Sequence, residues 1–281
     1  MYKLSILTPT LSSKEVMLNH YHNFKKYSSP NIELIVVDQG EFIDETVSSL
    51  STSDSSFIYI HSPRKGLSIN RNLGLSYVRS EYVIFFDDDS SFYNNSLDIL
   101  LKHLHHESFN FYSLCIVDFS GVNTSYTKGT NKELVSFRNI EDKVNSNGLV
   151  VSKKILDRIK FDELMGVGAF YGSCEEVDFV VKMLENNFRG LYLPSCKVVH
   201  PPKPYDDYKS YNYGLGHGYL TYKLLFLYTS WGSKYFAFKK INKAIFKLMI
   251  GFFFGRKYSN HYKSALGFFS SFKIIIFGVK K

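Results

Sequence analysis

Cysteine is scarce: Cys115, Cys174 and Cys196 are the only three in 281 residues, without C-x-x-C spacing and with an odd one left over. That excludes a disulfide framework and a cysteine-built zinc site, and it suits the reduced thiols of a cytosolic protein. Acidic residues are almost missing from one end. Residues 201–281 hold 14 Lys/Arg against only Asp206 and Asp207, a net +12, whereas residues 1–200 sum to −4. The overall +8 is therefore a property of the tail, and the mildly acidic remainder argues against a nucleic-acid partner. No run of eighteen apolar residues exists, because Lys223, Lys247 and Lys273 interrupt the three best stretches, so no simple membrane span is expected. The first residues, Tyr2-Lys3-Leu4-Ser5-Ile6-Leu7, lead directly into a strand-like run and read as no secretory signal. Internal repeats are also lacking.

Aromatic residues, by contrast, are plentiful, with 25 Phe and 21 Tyr but one Trp. The 44% hydrophobic and 21% charged composition fits a globular chain with a sizeable core. Leu4–Leu7, Ile32–Val37, Phe57–Ile60 and Tyr82–Phe86 read as strands, separated by amphipathic stretches near 13–27, 41–51 and 67–79. That β-α-β-α order predicts a parallel, doubly wound sheet. Further on we expect a helix over 95–107, a strand over Phe111–Phe119, a mobile loop over 120–146 and a helix from Ser173 to about Asn187. Two short strands, Leu191-Tyr192-Leu193 and Val198-Val199, then end at His200. Composition changes at Tyr205, which divides the chain into a domain of residues 1–204 and a tail of residues 205–281.

Ligands of such sheets bind beyond the carboxyl ends of the strands. This singles out Thr8-Pro9-Thr10, Asp38-Gln39-Gly40, His61 to Gly66, and Asp87-Asp88-Asp89. Three consecutive carboxylates repel one another, and a hard divalent cation would neutralise them and grip a nucleotide's phosphates; a solvated turn capping the next helix is the other reading. Glu175, Glu176 and Asp178 open a helix, where acids complement the macrodipole. The nearly uncharged, glycine-rich stretch from Gly166 to Gly172 before them would also let a substrate approach, with one carboxylate as general base. His200 is either a structural histidine or a ligand for a manganese-type ion. Arg71, in the first turns of its helix, is either a surface residue or a diphosphate contact.

Taken together, Ser5 to Thr10, Ile35-Val36-Val37-Asp38, Gly66-Leu67-Ser68 with Arg71 to Gly74, Phe85 to Asp89, Gly172 to Phe179 and Val198 to Pro201 resemble family 2 of the glycosyltransferases. The resemblance covers about residues 3–204, with a fainter likeness through Tyr222. It implies a GT-A fold, an α/β Rossmann-like, doubly wound mixed sheet, followed here by a helical, amphipathic extension. It also implies a nucleotide-sugar donor, a UDP-sugar first of all, contacted by Pro9, Thr10, Asp38, Gln39, Arg71, Asp87 and Asp88. Asp87 and Asp89 match the D-x-D pair that holds Mn2+ or Mg2+, and His200 matches a histidine that completes the metal shell in some members. Glu175-Glu176 matches the family's E-D pair, which makes Glu176 the implied base, Glu175 its reserve, and inversion at the anomeric carbon the implied outcome. Two positions depart from the family: Gln39 stands where a second Asp usually reads the base, and the pair is E-E. An amide both donates and accepts, which leaves the identity of the base open.

In the tail, Phe238, Ile241, Ile245, Leu248 and Phe252 share one helical face, and Lys240, Lys243 and Lys247 share another. Aromatics opposite lysines describe a helix lying in an anionic membrane interface; packing on the catalytic domain is the other reading. Tyr211 to Gly218 resembles a glycine-rich segment of polysaccharide-assembling relatives, which use lipid-linked acceptors. The expected function is therefore transfer of a sugar to a lipid-linked surface glycan of the polysaccharide or O-antigen kind, by a cytoplasmic enzyme peripheral to the inner face of the cell membrane. A nucleotidyltransferase would need a glycine-rich phosphate loop after the first strand, and residues 8–14 contain no glycine. A non-catalytic binding scaffold would have no need of the retained acids.

Overall fold

The four expected apolar runs form the parallel half of a mixed sheet: β1 (Leu4–Thr10), β2 (Ile32–Asp38), β3 (Phe57–His61) and β4 (Tyr82–Phe85). β1 and β2 are buried along their whole length, which is why they read as continuous rather than alternating apolar runs. The crossovers are α1 (Lys14–Lys26), α2 (Glu45–Ser53) and α3 (Leu67–Leu75). Met17, His20, Tyr21 and Phe24 of α1 are buried at helical spacing, and the Asp44 carboxylate starts α2 by accepting from the Val47 amide at 3.0 Å. The computed structural model of the chain describes residues 2–11, 13–27, 29–105, 109–124, 126–200, 207–254 and 259–278.

The other half of the sheet comprises β5 (Ser91–Phe92), β6 (Phe111–Val117), β7 (Glu133–Leu134), β8 (Leu149–Ser152) and β9 (Gly190–Val199), with α4 (Ser96–Leu104), α5 (Ile140–Lys143) and α6 (Lys153–Leu156). The order is β3-β2-β1-β4-β8-β6-β9-β5, with β7 added on β9. β8 runs antiparallel to both β4 and β6, while β6 and β9 are parallel. Pro9 is tolerated near the end of β1 for a simple reason. It lies two residues after Leu7, whose carbonyl takes the Phe86 amide, so the amide Pro9 lacks would face the side on which β4 has already ended.

Two expectations differ from the structure. The two short strands around Pro194 are one strand, β9: Leu193 pairs with Leu114 and Lys197 with Cys115, so residues 194–196 bulge past a single step of β6. The aperiodic segment 120–146 is folded. Thr127, Val135, Ile140 and Lys143 are buried there, and Lys143 ties Glu133 to the carbonyl of Lys128 at 2.7 Å each. Polar side chains, not a hydrophobic period, order it. The 95–107 helix is α4; residues 106–108 lie outside the described residues, as does the boundary expected between 204 and 205.

The chain divides into two compact units. The first, Met1–Lys65, Ile69–Lys160 and Asn187–Pro202, contains the whole sheet. The second comprises Gly66–Ser68, Phe161–Asn186 and Lys203–Lys281, and so joins α7 (Glu175–Glu185) with the C-terminal helices α8 (Asp207–Phe226), α9 (Trp231–Phe254) and α10 (Ser259–Phe277). Within this unit, α8 and α10 meet through glycines. A Cβ on Gly214 would lie 2.1 Å from the Ser264 carbonyl, one on Gly218 2.2 Å from the Phe268 carbonyl, and one on Gly267 2.1 Å from the Tyr211 carbonyl. The glycine-rich segment of α8 is thus a close helix crossing. On α9 the expected lysine face is turned inward: Lys240 is buried with Nζ 2.7 Å from His217 Nδ1, Lys247 donates to Ser264 Oγ at 3.1 Å, and only Lys243 of the three is exposed. Small residues on that side, Ser233, Ala237 and Ala244, let the helices approach. Among the described residues, no helix is long and apolar enough to cross a membrane.

Candidate functional site

In the first unit the strand ends converge as the sheet topology requires. Thr10 ends β1 opposite Asp38, which ends β2, and the Gln39 amide donates to the Thr10 carbonyl at 2.9 Å. The Thr10 hydroxyl donates to Asp88. Asp38 is buried and both of its carboxylate oxygens accept, one from the Gly40 amide at 2.8 Å and the other from the Tyr59 hydroxyl at 2.6 Å. Burial and that hydrogen bond push the Tyr59 phenol up to about 12. Pro9, Thr10, Asp38, Gln39 and Asp88 therefore form one connected rim.

Asp87, Asp88 and Asp89 follow β4 and are partly open to solvent, whereas His200, just beyond β9, is buried. One ligand atom each from Asp87, Asp89 and His200 lies within 4.8 Å of the others. His200 Nε2 is 3.3 Å from Asp87 Oδ2 and 3.6 Å from Asp89 Oδ1. Neither ring nitrogen of His200 has a hydrogen-bond partner among the described residues. A buried imidazole without hydrogen bonds facing two carboxylates is a donor set that fits a hard or borderline divalent cation.

Asn147 holds the acidic turn in place, and the sequence reading passes over it. Its Oδ1 accepts from the Asp87 amide at 2.7 Å and the Ser90 hydroxyl at 2.9 Å, and its Nδ2 donates to Asp87 Oδ2 at 3.0 Å. The available signal is the Asn147-Gly148 pair, with Gly148 at φ 84° turning the chain into β8. Arg71 is 1% exposed, with its guanidinium carbon 5.6 Å from the Phe85 ring centroid, so it is no surface residue.

In the second unit, Glu175 and Glu176 begin α7, Glu175 buried and Glu176 half-buried. Cys174 precedes them at φ 68°, a left-handed conformation unusual for a residue with a Cβ. Its Sγ lies 3.0 Å from His217 Nδ1. The glycines before it serve internal packing: a Cβ on Gly166 would lie 3.2 Å from the Glu175 side chain, and one on Gly172 3.2 Å from Asn212. α7 is then fixed at two further points. Asp178 accepts from Lys223 at 2.7 Å and Tyr228 at 2.5 Å. At its last residue, Glu185 accepts from the Ser230 and Ser233 hydroxyls and the Thr229 and Ser230 amides, at the start of α9. Burial acts to raise the Glu185 carboxyl, but these donors hold it below its ordinary range.

Residues 5–165 match the family model of glycosyl transferase family 2. An uncharacterized glycosyltransferase of Rickettsia bellii is 30% identical over 118 residues, 39% of this chain and 16% of the relative. The GalNAc(5)-diNAcBac-PP-undecaprenol beta-1,3-glucosyltransferase of Campylobacter jejuni is 24% identical over 182 residues, 62% of this chain and 57% of the relative. The match thus spans less than a fifth of the rickettsial proteins' length. Among solved structures, residues 1–349 of S. aureus TarS superpose with a TM-score of 0.67 at 18% identity, covering 96% of this chain and 80% of that one. The mannosyltransferase PcManGT of Pyrobaculum calidifontis, in complex with GDP-Man and Mn2+, gives 0.62 at 12% identity over 99% and 88%. The mixed sheet and these likenesses identify the fold as GT-A.

Proposed function

Because the chain belongs to glycosyl transferase family 2, we propose that it moves a sugar from a nucleotide-sugar donor, a UDP-sugar first of all, to a hydroxyl of a lipid-linked surface glycan. The observation that carries the reading is the cluster of Asp87, Asp89 and buried His200 at the carboxyl ends of the strands. These residues would hold Mn2+ or Mg2+, whose charge offsets that of the diphosphate. Thr10, Asp38 and Gln39 would orient the nucleoside, with Asp38 locked by Gly40 and Tyr59. Glu176 takes the proton of the acceptor hydroxyl as its oxygen bonds to the anomeric carbon. The bond from that carbon to the diphosphate breaks, the nucleoside diphosphate leaves, and the configuration inverts.

The Campylobacter relative is named for glucosyl transfer onto an undecaprenol-linked glycan, and TarS has been captured with UDP-GlcNAc. The first supports a glycan acceptor and the second a sugar-nucleotide donor. Three buried free thiols and a basic tail support a cytoplasmic enzyme working at the inner face of an anionic membrane.

The deciding experiment follows the released product. Sugar transfer yields a nucleoside diphosphate, whereas nucleotidyl transfer yields pyrophosphate, and a binding scaffold yields neither. Glu176→Gln should lower transfer by about two to four orders of magnitude while donor affinity holds. If Glu175→Gln is inactive and Glu176→Gln is not, the base is Glu175.

A further inference from the structure

α9 is turned inside out relative to a helix made for water. The side that packs within its unit carries Phe236 together with Ser233, Ala237, Lys240 and Ala244, all buried. The opposite side carries Trp231, Tyr235, Phe238, Ile245, Phe246, Met249, Phe252 and Phe253, which are 41–90% exposed. At 100° per residue these fall in one stripe along the helix, roughly 30 Å long. α10 repeats the spacing with exposed Tyr262, Leu266, Phe269, Ile276 and Phe277. A water-facing helix places its apolar residues inward, so two successive outward stripes mark a surface that something covers.

We infer that these stripes, led by that of α9, seat the protein in the interface of an anionic lipid bilayer. This rests on the proposed transfer to a lipid-linked acceptor and names the surface that brings the enzyme to it. Three observations commit the occupant to lipid. Residues 208–281 contain no Asp or Glu, so the charged side chains of α9 and α10 themselves are all cationic; Lys243 beside the α9 stripe and Lys273 within the α10 stripe are exposed. The α9 stripe is aromatic, the composition favoured where acyl chains meet headgroups, rather than the Leu and Ile of a seam between two copies. No described helix can span the bilayer, which leaves a helix of this kind lying in the interface. The aromatic face inserts, and the inward Lys240 and Lys247 brace it from behind.

The chain's single tryptophan, Trp231, is 90% exposed and lies on the stripe, so it reports directly. With the full chain, Trp231 emission should shift to shorter wavelength on adding vesicles of phosphatidylglycerol and phosphatidylcholine, and brominated acyl chains should quench it. Pure phosphatidylcholine should bind more weakly. Replacing Phe238, Phe252 and Phe253 together by Ser should weaken partitioning by about tenfold or more. The thermal midpoint should hold, since all three side chains are exposed. Emission that ignores anionic vesicles overturns the inference, and so does a concentration-dependent dimer, seen by sedimentation without lipid, that buries Trp231. Nucleoside diphosphate binding measured on the same samples separates the two readings. A chain that inserts but binds no nucleotide refutes the transfer reading alone; one that transfers but ignores vesicles refutes the surface.

Discussion

Lys223 Nζ lies 2.7 Å from Asp178 Oδ1 and 2.7 Å from Asp162 Oδ2, so one ammonium on α8 holds two carboxylates beneath the helix that begins with Glu175 and Glu176. Burial acts to raise the Asp162 carboxyl, but the hydrogen bond and charge of Lys223 outweigh it and hold it below its ordinary range. Burial raises the Tyr228 phenol far above its usual value, with the charge of Asp178 adding to it. Lys223→Met would leave buried Asp178 with Lys182 alone, 3.1 Å from its other carboxylate oxygen, and half-buried Asp162 without its nearest cation, at a cost of about 3 kcal/mol. Urea midpoints should show that loss, and Asp178→Asn in the same chain should recover part of it.

His20 supplies a pH dependence. Burial, only partly offset by Asp88, Asp89 and Asp87, lowers its imidazole from 6.5 to about 4. The unfolded chain binds a proton near 6.5 that the folded chain refuses until about 4, so this stability is full above 6.5 and is lost as the pH falls through that window. Between pH 7 and 5, with chelator present, unfolding free energy should fall by about 2 kcal/mol from this group. His20→Gln should flatten that part of the profile.

Gly218→Ala tests the helix crossing. Helix propensity alone would favour Ala by about 1 kcal/mol. The added Cβ would sit 2.2 Å from the Phe268 carbonyl, however, and backbone cannot swing aside as a side chain can. The contact wins, and the variant should lose about 1–3 kcal/mol, read as a lower thermal midpoint.

Asn147→Ala tests how Asp87 is held. Removing the amide takes one donor from the Asp87 carboxylate and leaves the Asp87 amide without its acceptor. Manganese-dependent affinity for nucleoside diphosphate should fall about 10–100-fold, while affinity without metal changes little. Equal losses with and without manganese would make Asn147 a residue of the fold alone.

Legibility in the sequence followed the kind of interaction. The parallel strands declared themselves because burial on both faces forces continuous apolar runs such as Ile32 to Val37. Their carboxyl ends followed from topology, which is why Thr10, Asp38, Asp87 and His200 could be named. Asn147, Tyr59 and Lys223 could not, since each acts through a partner 21 to 61 residues away that no local pattern encodes. β9 reads as two strands because its apolar runs, Leu191 to Leu193 and Val198-Val199, are separated, and only pairing with β6 reveals one bulged strand. On α9 the helical period was legible. Which side faced the protein was not, because small residues, Lys240 and a single aromatic, Phe236, make the contact while the other aromatics face out.

The strand order also sets a sequence of assembly. β1 to β4 are contiguous in the chain and neighbours in the sheet, so the parallel half can form from the first 85 residues. β8 and β6 extend this half from β4, but β5 and β7 must wait for β9, which pairs with β5, β6 and β7 and ends at Val199. His200 arrives with that last strand, its amide donating to the Val117 carbonyl at 2.9 Å. A nascent chain shorter than about two hundred residues therefore displays the acidic turn of Asp87 to Asp89 before the imidazole that faces it exists. The grouping of Asp87, Asp89 and His200 is therefore completed late, only once the strand that leads to the imidazole has joined the sheet.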